Sequence, residues 1–286
     1  MSVAPNTEPS VPFKPLEAAV YAPQELKGMV HFIAEVQHDR PSSAIILPKG
    51  TVELIFFLER NQTTAFYSGD DSPSDRAQRS ESALVCSVAN RPQIVAGRSL
   101  HAIFAMMSPA AAMSVFGIPA SELVNRSVAP SQLGIDVRSL EDRLRSLPNF
   151  TLRARAIETW LVNRVRGTEV VPKFLSFRRN LVDLFKNGQE VPEVQQVMDA
   201  TGYSRVHANR LARQWLGMSL ERQGSLWRFR KALSLLDGPL SLAEVAAEAG
   251  YFDQAHFTHR FVEYAGITPG QYRLTPRTGA DHLYVA

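Results

Sequence analysis

Between Gln254 and Arg260 the chain reads QAHFTHR, which sets an amide, two imidazoles, a hydroxyl and a guanidinium close together. Such groups hydrogen-bond to the exposed edges of bases and to phosphate oxygens, and they need no metal or activated nucleophile beside them to do so. Spacing decides whether they share a surface. At 100° per residue on a helix, Ala255, His256, His259 and Val262 fall on one side, while Phe257, Phe261 and Tyr264 fall on the other. The aromatic side is expected to face a core. The opposite side is small and polar near its start, where a helix lying in a DNA major groove meets base edges. By pattern alone it also fits the solvated face of an ordinary helical hairpin.

The flanking residues define the elements that must hold this helix. Ser241 followed by Glu244 spells a capping box, and Leu242, Val245, Ala246 and Ala249 continue with helical spacing. Gly250 can adopt the left-handed conformation that ends a helix, Asp253 can cap the next one, and Gly266 can end it. Two short helices joined by a tight Gly-containing corner are the layout of a helix-turn-helix. The stretch SLAEVAAEAGYFDQAHFTHRFVEYAGITPGQYR, Ser241 to Arg273, is similar to the second helix-turn-helix of the AraC family of transcription regulators. The likeness runs through Ala246, Gly250, Tyr251, Asp253, Phe257, Phe261, Gly266, Pro269 and Arg273.

That resemblance implies a first unit upstream, and ATGYSRVHANRLARQWLG, Ala200 to Gly217, resembles the family's first recognition helix. Ser204 stands at its N-cap, Arg210 at the family's arginine position, and Gly217 closes it. Ala208, Leu211, Ala212 and Trp215 cluster on one wheel face; Val206, Arg210 and Arg213 cluster on the other, with Asn209 at its border. The family carries larger apolar residues where Ala208 and Ala212 stand, and Trp215 is expected to fill that space. The residues expected to meet DNA are Arg205, Val206, Asn209, Arg210 and Arg213 in the first unit. In the second they are Gln254, Ala255, His256, Thr258, His259 and Arg260, with Thr258 and Arg260 suited to phosphates. Between the units, Ser219 to Asp237 keeps helical spacing through Leu226, Phe229, Ala232, Leu233 and Leu236. A helix of that length spans roughly 28 Å at 1.5 Å per residue, against about 34 Å for one turn of DNA. It can therefore hold both recognition helices on one DNA face.

The rest of the chain, residues 1–172, lacks this signal. Met29 to Val36, Ser43 to Leu47, Thr51 to Leu58, Ala83 to Val88, Gln93 to Ala96 and Leu100 to Met107 read as short strands between turn signals, with TVELIFFL central. Short helical turns follow at Pro109–Phe116 and Pro119–Val124. One helix is then marked by Leu140, Leu144 and Leu147, and another by Leu152, Ala156, Ile157, Trp160, Leu161 and Val165. PKGTVELIFFL and SPAAAMSVFGIPASELVNRSVAPSQL resemble sensor domains of some AraC-type regulators. This implies a cupin-like β-barrel with following helices and an α+β chain overall. The expected organisation is a disordered tail over 1–15, a sensor or dimerisation domain over 16–166, and a linker over 167–172. The double helix-turn-helix domain then covers 173–273, with a loose tail over 274–286. Ser68 to Ser80 reads as a long surface connection, with a mobile lid as the alternative.

Composition narrows the function classes. Hydrophobic residues make up 45% and charged residues 21%, as in a soluble globular protein, and no apolar run reaches the length of a membrane span. No basic n-region with an apolar core opens the chain, and the single cysteine, Cys86, excludes an intrachain disulfide, so a cytoplasmic location is expected. The formal charge is +3, and the whole excess lies from Lys173 onward. DNA binding would then rest on where arginines are placed rather than on a strongly basic domain.

Other chemistry is thinly represented. His31, His38 and His101 stand alone, so no metal site and no cofactor are expected. Glu53, inside the central strand, either orients a ligand or pairs with an arginine. Cys86 in LVCSV reads as a small buried residue; a DNA-repair methyl acceptor is the remote alternative, since an active thiol needs an activating neighbour. No catalytic residues are assigned, and an enzyme is not expected. The expected partners are double-stranded DNA, a small-molecule effector at unassigned residues, and a second copy of the chain, with RNA polymerase a candidate and a membrane not. A domain that only oligomerises is the alternative to an effector sensor. The helix from Leu152 to Val165 either forms the dimer contact or packs its apolar stripe on its own barrel.

Overall fold

The computed structural model describes residues 18–38, 42–59, 64–68, 83–87, 93–97, 100–165, 195, 198–199, 202–275 and 282–284. The expected N-terminal tail, the linker and most of the polar loop after Ser68 lie outside them. The strands are β1 (Ala18–Tyr21), β2 (Val30–His38), β3 (Ser42–Ile46), β4 (Val52–Phe57), β5 (Thr64–Ser68), β6 (Leu84–Ser87), β7 (Gln93–Gly97), β8 (Leu100–Met107), β9 (Ser127–Val128) and β10 (His282–Tyr284). They form two antiparallel sheets, ordered β1-β2-β8-β4-β6-β9 and β10-β3-β7-β5. TVELIFFL is interior as expected: β4 lies between β8 and β6, with Glu53 opposite both Met106 and Cys86.

Period-two alternation sends the residues of β4 to two cores. Val52, Leu54 and Phe56 join Ile33, Ile103, Ala105 and Met107 on the face covered by helices α1 (Arg138–Ser146) and α2 (Phe150–Val165). Ile55 and Phe57 join Leu84, Cys86 and Ala102 on the other face. Each fully buried side chain of this size contributes about 1.5–3 kcal/mol. Ala154, Ile157, Leu161 and Val162 of α2 lie in the first of these cores, so these residues pack on the chain's own sheet, while Leu152 at the helix start stays exposed.

An ion pair fixes that docking. Arg153 of α2 donates from Nε and Nη2 to the two carboxylate oxygens of Glu35 on β2, at 2.7 and 2.6 Å. His101 Nε2 lies 3.0 Å from the same carboxylate. Burial alone would raise the Glu35 pKa; the bonds from Arg153 and His101 outweigh it and hold the carboxyl below its usual range. Glu53 pairs not with an arginine but with Lys49, four residues earlier, at 2.9 Å.

The C-terminal domain is helical: α3 (Arg205–Leu216), α4 (Leu220–Leu236), α5 (Leu242–Glu248), α6 (Gln254–Ala265) and α7 (Pro269–Leu274). Its core is aromatic. Phe261 lies 5.2 Å from Phe229, 5.6 Å from Phe257 and 5.6 Å from Tyr272, ring centre to ring centre. Arg273 donates to the carbonyls of Leu236 and Leu240, which places a cation where α4 ends and its exposed carbonyls attract positive charge.

The two domains share surfaces. Leu47 is buried in the core of the helical domain, with Ile45 packed beside it. The next turn needs Gly50 twice over: its φ is +67°, and a Cβ there would come within 2.9 Å of Leu226 Cδ2 on α4. Trp215, buried like Ala208 and Ala212, forms a cluster with Ala110, Met113, Leu211 and Leu216 that joins α3 to the N-terminal domain. The residues after Arg273 are not simply a loose tail, because β10 pairs with β3 and ties the chain's end to the N-terminal sheet.

Candidate nucleic-acid interface

The second unit is assembled by local chemistry. Ser241 and Glu244 make the reciprocal capping box at the start of α5, with Ser241 N–H to Glu244 Oε2 at 2.7 Å and Glu244 N–H to Ser241 Oγ at 3.3 Å. The helix ends in a paired closure: Tyr251 N–H reaches Ala246 O at 2.9 Å, and Gly250 N–H reaches Ala247 O at 3.0 Å. Gly250 sits at φ +81°, which an L side chain adopts only under strain. The corner it makes turns Tyr251 into the core against Phe257, and burial pushes the Tyr251 hydroxyl's pKa up. Asp253 then accepts from His256 N–H at 2.7 Å and starts α6, which ends on the left-handed Gly266.

With α6 anchored by Phe257, Phe261 and Tyr264, its opposite side is set. Gln254, Ala255, His256, His259 and Arg260 are exposed, and Thr258 is half-buried. The outer face of the helix wheel is therefore outward in the fold. Thr258 returns its hydroxyl to Gln254 O at 2.8 Å. Glu263 takes an ion pair from Arg260 at 2.8 Å and lies 3.4 Å from His259. These groups are open to water, so the pairs are weak and easily exchanged for phosphate oxygens.

The first unit repeats the design with a different anchor. Ser204 accepts from His207 N–H at 3.3 Å, and Gly217, at φ +82°, closes α3. Ala208 and Ala212 are buried, whereas Arg205, Val206, Arg210 and Arg213 are exposed. Arg210 lies 3.4 Å from the ring of His207, and Arg205 pairs with Glu221 at 3.1 Å. Asn209 also serves the next helix, because its Oδ1 accepts from Leu220 N–H at 3.0 Å and so supports the first turn of α4 from within α3. Helix α4, with 17 residues, spans about 26 Å at 1.5 Å per residue and carries the two units at its ends.

Comparison with known proteins agrees with this geometry. A helix-turn-helix domain family matches residues 197–275. A transcriptional regulator of helix-turn-helix type from Haemophilus influenzae, itself uncharacterized, is 31% identical over 94 residues. This region is an AraC-type helix-turn-helix domain. The aligned part is 32% of this chain and 32% of that relative, so the chain spans about a third of the curated relative it matches. The C-terminal domain of AraT, a response regulator from Geobacillus stearothermophilus, is 29% identical with a TM-score of 0.32, covering 34% of this chain and 83% of that one. ToxT from Vibrio cholerae O395 aligns over 85% of this chain and 96% of its own, at 8% identity and a TM-score of 0.46.

Within the AraC-type domain, sequence reasoning placed the outward residues but missed three features. The carboxylates that hold Arg205 and Arg260 are Glu221 and Glu263; the latter was readable from its i, i+3 spacing, the former from nothing local. The bond from Leu220 N–H to Asn209 joins residues of separate helices. Phe252, which faces solvent just ahead of α6, carries no periodicity signal at all.

Elsewhere, no group of acidic, histidine or cysteine side chains among the described residues is arranged to hold a metal ion. Cys86 is buried and its thiol is pushed up to about 12 by desolvation, which keeps it protonated and unreactive at neutral pH. Its environment is that of a packed core residue. No helix among the described residues is long and apolar enough to cross a membrane.

Proposed function

We propose that the chain is a sequence-specific DNA-binding transcription regulator that reads duplex DNA through α3 and α6. One observation carries this reading. Each helix is N-capped, closed on a left-handed glycine and anchored by its inner face, so that Arg210 and His259 project from outer faces that the fold leaves open. Arginine contacts to guanine are the commonest specific readout, worth about 1–3 kcal/mol against a wrong base, while exposed cations set register on phosphates.

The N-terminal domain supplies control, through a small-molecule effector or through association of chains. Supporting this, the turn after β3 puts Leu47 into the core of the reader and Gly50 against Leu226 of α4, while the same turn carries Lys49 of the Lys49–Glu53 pair. A change at that ion pair would therefore be felt directly at the helix that spaces the two units.

The test is selection of random duplex DNA by the full chain, followed by titration of the enriched sequence and of random DNA with wild type and Arg210→Ala. The expected result is enrichment of a defined sequence, salt-sensitive binding, and a larger loss for Arg210→Ala on the selected DNA than on random DNA. Equal losses on both would reduce Arg210 to a phosphate contact, and the absence of any enriched sequence would overturn the reading.

A further inference from the structure

Phe252 is 92% exposed, the most exposed of the large apolar side chains in the reader. Single exposed hydrophobes are common and by themselves mean little. This one is singled out by its place. The closure at Gly250 turns Tyr251 inward and so directs its neighbour outward, one residue before the N-cap Asp253 and beside the exposed Gln254, Ala255 and His256. Side chains at the start of a helix lean toward its N-terminus, which brings this group together at one end of α6.

The first unit repeats the arrangement. Aligning the N-caps Ser204 and Asp253 sets Tyr203 against Phe252, Val206 against Ala255 and His207 against His256. Tyr203 is also an outward aromatic, 40% exposed, with its ring 4.6 Å from that of His207. Val206, 81% exposed, adds a second apolar group to the same end of α3. Both reading helices therefore carry an exposed aromatic ring just before the N-cap and a small aliphatic group two residues after it, beside Arg205 in the first unit and Gln254 in the second. Water is a poor environment for such groups. In the major groove, their complement is the one apolar group a base pair displays, the C5-methyl of thymine.

Building on the proposed DNA-reading role, we infer that Phe252 is a specificity-determining residue, packing its ring against a thymine methyl at the edge of the second unit's site. Phe252 adds preference for thymine at one position; Ala255, His256 and His259 read the neighbouring bases.

The experiment uses the full chain and the duplex it selects. Each thymine in turn is replaced by deoxyuridine, which removes only the methyl, and affinity is measured for wild type and for Phe252→Ser, an exposed change that leaves the aromatic core intact. For wild type, one thymine should show a loss of about fourfold, the fold-change equivalent to ~0.8 kcal/mol for one buried methyl-sized group. Phe252→Ser should bind the unmodified duplex correspondingly less tightly and show no loss at that position, while responding like wild type at every other thymine. If deoxyuridine affects both proteins alike at all positions, the inference is wrong even though the chain reads DNA. If Phe252→Ser matches wild type on every duplex, the ring faces something other than DNA, such as a protein partner, and the inference is equally wrong. A wild type that selects no sequence would instead overturn the DNA-reading role on which it rests.

Discussion

The two helix-turn-helix units share a plan and differ in what holds them. The second is held mainly by aromatic residues of the helical domain, with Leu47 of the N-terminal domain added to them: Phe257, Phe261 and Tyr264 of α6 meet Phe229 of α4 and Tyr272 of α7. The first has alanines at the matching core positions and leans outward, with Trp215 packed on Ala110 and Gly217 pressed against the turn that holds Ala120 and Val124. A unit with a local core can present its recognition helix in one pose. A unit whose packing is lent by another domain takes its pose from that domain. If the N-terminal domain controls DNA binding as proposed, the first unit is the point at which it would act.

The largest effect on this contrast is expected from Phe261→Ala. Removing a fully buried phenyl ring at the centre of the aromatic cluster should cost about 3–5 kcal/mol. Thermal unfolding followed by near-ultraviolet circular dichroism should show the helical domain losing stability while the β-sheet domain keeps its transition. If both transitions fall together by the same amount, the reader has no core of its own.

A smaller and sharper comparison sets Gly217→Ala against Gly250→Ala. Both glycines are left-handed, at φ +82° and +81°, so each alanine bears roughly 1–2 kcal/mol of backbone strain. Their surroundings differ. An added Cβ at Gly217 would lie 3.0 Å from Val124 Cγ2 and 3.3 Å from Ala120 O, both in the N-terminal domain, whereas at Gly250 its nearest neighbour is Arg228 Cδ at an ordinary 3.6 Å. Gly217→Ala should therefore cost about 1 kcal/mol more and should also loosen the domain contact, seen as faster amide exchange along the Ala120–Glu122 turn. Gly250→Ala should leave exchange there unchanged. Equal behaviour of the two variants would remove the claim that the first unit is held by its neighbour.

The same contrast explains what could be read from the residues alone. The second unit was legible because each of its determinants is local: a capping box over Ser241–Glu244, a left-handed glycine, and a 3.6-residue aromatic stripe. The longer strands β2, β4 and β8 followed from runs of apolar residues. What escaped depends on chain segments far apart. Trp215 meets Ala110, Asn209 caps Leu220, and β10 pairs with β3 across most of the sequence, none of which leaves a periodic trace. The short strands β1, β5 and β9 were equally silent, whereas β3, β6 and β7, of similar length, were read from the turn signals between them. Glu53 shows the limit in miniature: its burial inside a strand was readable, and its partner Lys49, in the preceding turn, was not. The outward positions of Val206, Arg210, His256 and His259 could be read because a helix wheel fixes the outer face once the inner one is known.

The central claim is that α4 holds two reading helices on one face of a duplex. Hydroxyl-radical footprinting of the full chain on its selected DNA tests it most directly. The account predicts two protected patches on the same face, with centres about 10 base pairs apart, one of which is lost in Arg210→Ala. A single protected patch, or two whose separation puts them on opposite faces, would contradict it.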